Sequence, residues 1–198
     1  MLVKFERLLV FSESCKKSFY TEFGAGVNIV KGKNTSGKST LIQSLIYLLG
    51  INDGGDKLRE ILDYDSIFRL DLKKIEDSVS VDITFVREAG VFYIFEEGKA
   101  PQRFDGVDAD NSKEHIKLKK VLSDFFGFRM VVESRGGLKD APLEAMMLPY
   151  YVSQSVGWVY IRESFSGLGF YKNFKNDYLD YYMGVTTELD RVSLNRLL

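Results

Sequence analysis

Gly32-Lys33-Asn34-Thr35-Ser36-Gly37-Lys38-Ser39-Thr40 decides how the rest of the chain is read. The stretch meets the phosphate-binding pattern G-x-x-x-x-G-K-[ST] at every fixed position. That pattern needs a buried strand before it and a helix after it. Val27-Asn28-Ile29-Val30 reads as the short apolar strand, and Leu41, Ile42, Leu45, Ile46 and Leu49 recur at helical spacing. Gly50 stands where a helix-ending glycine belongs. Glycines at 32 and 37 let successive N–H groups turn inward as an anion nest, and the new helix adds its positive end. Lys38 is expected to reach the β- and γ-phosphates and Ser39 to hold magnesium. A chance Gly-Lys-Ser turn would explain three residues, but not strand, loop and helix together.

Composition sets the outer bounds. A chain of 198 residues suits one α/β domain with a full core. Hydrophobic residues at 45% and charged residues at 28% are ordinary globular values, which argues against whole-chain disorder. The net charge of −1 does not mark a nucleic-acid binder, so any such contact must come from a local patch. Cys15 is the only cysteine; an intrachain disulfide is impossible, and a reducing cytoplasm is the expected location. No apolar run reaches the length of a membrane span, and the first residues, Met1 to Arg7, lack the apolar core of a signal peptide. His115 is the only histidine, so a Ser-His-Asp triad or a His/Cys metal centre has little material here.

Before the loop, residues 3–11 and 17–23 alternate as two strands, expected to be antiparallel, and Gly24-Ala25-Gly26 turns toward the loop. After it, residues 57–64 are a short helix candidate. Phe68 to Leu72, Val79 to Phe85 and Val91 to Phe95 alternate as strands of an added antiparallel sheet, with Glu88-Ala89-Gly90 as a turn. Ser112 can cap a helix running to Phe126, with Gly127 as its stop. Leu118, Val121, Leu122 and Phe125 form the core stripe of that helix. Lys113, Lys117 and Lys120 form a second stripe, read as a solvated face rather than a DNA contact. Met146 to Gln154 is an apolar run ending in a polar residue. Trp158, Ile161 and Phe165 share one face of a further helix candidate, and the aromatic-rich segment Phe170 to Met183 reads as a packed helix face. Gly184 breaks that pattern, and Thr187-Glu188-Leu189-Asp190 looks like a capping box opening a last helix.

Two strands, then Gly32, Asn34, Ser36-Gly37-Lys38-Ser39-Thr40, resemble the head domains of the ABC superfamily. The likeness is to the SMC (structural maintenance of chromosomes) branch, its relatives in double-strand-break repair, and RecN-like proteins. It covers residues 1–50 and 147–198 by motif. Thr35 departs from the family pattern, where glycine is usual. The resemblance implies an α/β fold: the N-terminal lobe of a P-loop NTPase head of ABC type, a core sheet plus an added antiparallel sheet and helices. It places that lobe at residues 1–184 and the start of a coiled-coil arm at 185–198. It implies ATP and Mg2+ as cofactors, with Gly32, Asn34, Thr35, Ser36, Gly37, Lys38, Ser39 and Thr40 around the nucleotide. In Tyr151-Val152-Ser153-Gln154, Gln154 resembles the glutamine that a strand delivers to magnesium and the attacking water; the alternative is a polar turn residue after a strand.

A complete ATPase of this kind also needs an apolar run ending in Asp-Glu, a Ser-Gly-Gly loop and a switch histidine. Phe92-Tyr93-Ile94-Phe95-Glu96-Glu97 and Ser134-Arg135-Gly136-Gly137 imitate the first two, but both precede residue 154 and read as coincidence. The expectation is therefore the N-terminal half of a split head. Its partners would be the C-terminal half, a second identical head and double-stranded DNA, and no membrane. DNA repair, chromosome maintenance and anti-phage defence all use such ATPases. The alternatives are the ATPase module of an overcoming-lysogenization-defect-type nuclease and a dimer locked, but not turned over, by nucleotide.

Overall fold

Residues that alternate apolar and polar at period two build one antiparallel sheet. The computed structural model describes residues 1–34, 36–52, 65–109, 112–153, 164–165 and 167–185. The strands are β1 (Leu2–Ser12), β2 (Lys17–Glu22), β3 (Ser66–Glu76), β4 (Val79–Glu88), β5 (Val91–Glu96) and β6 (Gln102–Asp105), in the order β2-β1-β3-β4-β5-β6. β1 and β2 are antiparallel, as the alternation of residues 3–11 and 17–23 predicts. β6 carries too short a pattern to be read from sequence.

Register fixes which face is apolar, because a slip of one residue would turn every side chain over. Leu8 lies opposite Leu70, Leu70 opposite Phe85, and Phe85 opposite Ile94; all four are buried. A second inward row runs Phe68, Arg87, Phe92, Phe104. Helix α1 (Lys38–Leu48) covers this face, with the Tyr47 ring edge-on to Phe68 at 5.1 Å. Leu41, Ile46 and Leu48 are buried with it, each worth about 1.5–3 kcal/mol of burial. The β3–β4 turn uses Asp77 and Ser78, both at positive φ, the geometry of a tight two-residue hairpin.

Three glycines end the helices as the sequence predicts. Gly50 has φ +78°, and the bonds Gly50 N–H to Tyr47 O and Ile51 N–H to Ile46 O close α1. The same pair of bonds at Gly127 closes α2 (Lys113–Phe126), and at Gly184 it closes the last described helix. Ser112 caps α2 by accepting the His115 N–H at 3.0 Å. His115 is fully buried, with Nε2 3.0 Å from Gly50 O. Lys113, Lys117 and Lys120 are exposed, as expected of a solvated face.

Contacts divide the chain into two compact units, Met1–Leu118 and Lys119–Leu198. In the second, β7 (Val131–Ser134) and β8 (Gly137–Asp140) form a hairpin, followed by α3 (Leu143–Met147), a 3-10 turn at Leu168–Phe170, and α4 (Phe174–Tyr182). Its core holds Leu122, Val132, Leu143, Ala145, Phe165, Leu168 and Phe174. None of the helices among the described residues is long and apolar enough to cross a membrane.

Three sequence expectations need correction. Val27 to Val30 forms no strand; Val27 is 90% and Ile29 87% exposed. No described strand offers the segment a ladder, and the Asn28 side chain engages the Gly24 amide and the Gly24 and Gly26 carbonyls instead. The run from Met146 is not a strand either. Pro142, with its extended ψ of 151°, opens the short helix α3, and residues 151–153 follow without regular structure. The aromatic segment is helical only from Phe174, because Asn173 at φ +52° interrupts it and leaves Phe170 85% exposed. The helix expected at 57–64, Trp158, Ile161, Gln154 and the capping box at 187–190 lie outside the described residues.

Candidate functional site

The loop begins where the exposed segment 27–30 ends and closes on the first turn of α1. Ser36 N–H donates to Lys33 O at 3.3 Å, bending the chain back on itself. Gly37 then sits at φ +84°, a conformation that costs a side-chain-bearing residue about 1–2 kcal/mol. Leu41 N–H closes the first helical bond onto Gly37 O at 2.9 Å. Gly32 is favoured for a different reason: a Cβ there would overlap the Ser36 hydroxyl and press on the Ser36 Cβ at 3.2 Å. A methyl group at 32 would have to turn the Ser36 hydroxyl away and push its Cβ back by a few tenths of an ångström.

Lys38 points into this winding. Its Nζ donates to Gly32 O at 2.9 Å and to Lys33 O at 2.6 Å, with the Ser36 Oγ at 3.5 Å. The ammonium therefore lies at the centre of the loop. Ser39 and Thr40 follow in the first turn of α1, which contains no acidic side chain to neutralise the positive helix end. Asn34 is an exposed turn residue. Thr35 and Gln154 lie outside the described residues. The structure thus brings Gly32, Ser36, Gly37, Lys38, Ser39 and Thr40 together. This donor set of an amine, hydroxyls and a wound backbone fits a polyphosphate.

A cavity of about 460 Å³ opens beside the loop. Ser36, Gly37 and Thr40 form one wall; Ser12, Cys15 and Phe19 form the other. Its size falls in the range of small-molecule sites. The second wall is the β1–β2 turn, which the sequence reading did not single out. Asp65 holds that turn: its carboxylate accepts from the Ser14 N–H, from Ser14 Oγ at 3.1 Å and from Ser12 Oγ at 3.2 Å. The Ser14 amide, with those hydroxyls, keeps the Asp65 carboxyl below the usual carboxylate range. The only sequence signal for this wall was the serine pair at 12 and 14, too common a pattern to mark a site.

The two imitations of family motifs are pieces of hairpins. Glu96 ends β5 and pairs with Lys99 at 2.7 Å. Ser134 Oγ donates to Gly137 O at 2.9 Å across the β7–β8 turn, where Gly137 has φ +106°.

A family model described as an AAA domain matches residues 12–131. The match takes in the β1–β2 turn, the loop, α1 and the sheet from β2 to β6. No curated protein matches the chain.

Proposed function

Because the chain belongs to the AAA domain family, and so carries an ATP-binding ATPase module, we propose that it is the N-terminal half of an SMC-like ATPase head. In this reading residues 32–40 wrap the triphosphate of ATP. Lys38 supplies charge to the β- and γ-phosphates, and Ser39 gives its hydroxyl to magnesium. Among the described residues no group of three His, Cys, Asp or Glu side chains could hold a metal ion. Magnesium would then be held largely through the phosphates, as it commonly is in nucleotide sites. Bound nucleotide and magnesium supply the leaving group and its charge neutralisation; the chain positions them and shields one side.

The observation that carries the split-head reading is the bare segment Val27 to Val30. Apolar side chains as exposed as Val27 and Ile29, leading straight into a phosphate loop, mark a surface made to be covered. Strands from a C-terminal half would cover it and bring the Asp-Glu and Ser-Gly-Gly motifs. A second head would complete the site, Gln154 would meet magnesium and water, and an arm starting at residues 185–198 would couple turnover to double-stranded DNA.

The test is an inventory experiment. Phosphoryl transfer needs positioned charge and an oriented water, and losing one such group costs about a hundredfold or more. Residues 1–198 should bind ATP with magnesium in calorimetry, yet release phosphate no faster than Lys38→Ala. Adding the C-terminal half should restore turnover that rises with protein concentration as heads pair. Robust Lys38-dependent turnover by the 198 residues alone would overturn the split-head reading.

A further inference from the structure

We propose that Asp65 is a positioning residue for the base end of the nucleotide, acting through the β1–β2 turn that walls the cavity opposite the phosphate loop. The proposal rests on the reading of residues 32–40 as a triphosphate site and asks what fixes the other side.

The cavity's two walls differ in chemistry. The wall of Ser36, Gly37 and Thr40 belongs to the loop and the positive helix end. The wall of Ser12, Cys15, Lys17, Ser18 and Phe19 offers small polar groups, one ammonium and an aromatic ring, and the ring suits a flat heterocycle. The tip of the second wall lies beyond the last ladder pair, Ser12 with Lys17. Residues 13–16 are exposed and Lys16 is at φ +47°; within the turn Lys16 N–H donates to Glu13 O at 3.2 Å, Cys15 N–H donates to Ser12 Oγ at 3.3 Å, and the Ser12 and Ser14 hydroxyls lie 3.3 Å apart.

Asp65 ties that tip to the rest of the sheet from more than fifty positions away in sequence. One carboxylate takes three donors, two from Ser14 and one from Ser12, which a two-oxygen anion can do and an amide cannot do as well. Asp65 does not line the cavity; its neighbour Ser66 does, and Ser66 pairs with Ser12 across β3 and β1. Asp65 therefore shapes the wall without touching what the wall receives.

Calorimetry on the 198-residue chain separates this role from a general one. The probes are ATP and inorganic tripolyphosphate, each with magnesium. Tripolyphosphate has no base or sugar to lay against the Phe19 wall, whereas ATP has both. Asp65→Ala should weaken ATP by about tenfold and leave tripolyphosphate unchanged. Ser14→Ala, which removes one donor but keeps Asp65, should show the same selective loss on a smaller scale, and so covers the case in which Asp65→Ala does not fold. Lys38→Ala should weaken both probes. Equal loss of both probes in the Asp65 and Ser14 variants, or loss of neither, would overturn the role of Asp65 while leaving the phosphate loop standing. Failure of either probe to bind the unsubstituted chain would overturn the phosphate-loop reading itself, and this proposal with it.

Discussion

Lys38 is the residue on which the site turns. Its ammonium is centred by two backbone carbonyls, so a triphosphate entering the loop meets a charge already in place. Removing it should cost at least tenfold in affinity, about 1.4 kcal/mol, and more if the lost bond is fully charge-assisted. Calorimetric titration of Lys38→Ala with ATP and magnesium checks this, and an unchanged affinity would end the nucleotide reading. At this scale the sequence was informative because the constraints are local. Gly37 is favoured by its own φ, and Gly32 by the crowding of a side chain four positions on. Asp65 was invisible for the opposite reason. Its partners are Ser12 and Ser14, and nothing in a linear pattern joins residues so far apart.

Among the elements, helix ends and hairpins were legible because a glycine at positive φ, or an alternating run beside a turn, carries its own cause. Val27 to Val30 misled because an apolar run signals a wish for burial, and burial needs a neighbour that the run does not encode. The same run yields a prediction. Replacing Val27 and Ile29 by Ser should change the stability of residues 1–198 by no more than about 0.5 kcal/mol, as for other exposed positions. In the complete protein the same pair should cost about 2 kcal/mol or more, the scale of a large-to-small change in a core. Urea unfolding of both forms decides it. A loss as large in the 198-residue chain would mean that the segment is already packed. The stretch from Met146 shows a second limit: Pro142 opens a helix where hydrophobicity alone suggested a strand, and Leu143 and Ala145, two positions apart and both buried, show that this short helix is covered on more than one side.

At the scale of the molecule, two compact units share one chain, and in the first a single buried cation bonds to three separate residues. Arg87 stands fully buried in the middle of the inner face of the sheet. Its Nη1 donates to Tyr47 O at 2.9 Å at the end of α1, and its Nη2 to Val107 O at 3.2 Å and to the Asn52 side chain. The guanidinium also lies 3.6 Å from the centre of the Tyr47 ring. Arg87→Met would keep the bulk but remove three hydrogen bonds and the contact with the Tyr47 ring, leaving Tyr47 O with the Gly50 N–H and Val107 O with the Asn52 amide as donors. It should destabilise the chain by about 2–4 kcal/mol, read as a lower urea midpoint, and a shift under about 0.5 kcal/mol would show that those remaining donors hold the joint without Arg87. Those bonds join the helix that follows the phosphate loop, the loop before α2 and the fourth strand. A tolerance scan across every position would therefore score Arg87 beside Lys38. Anyone ranking positions by intolerance would give a chemical role to a side chain that never meets solvent, and would look for a substrate where there is only a joint.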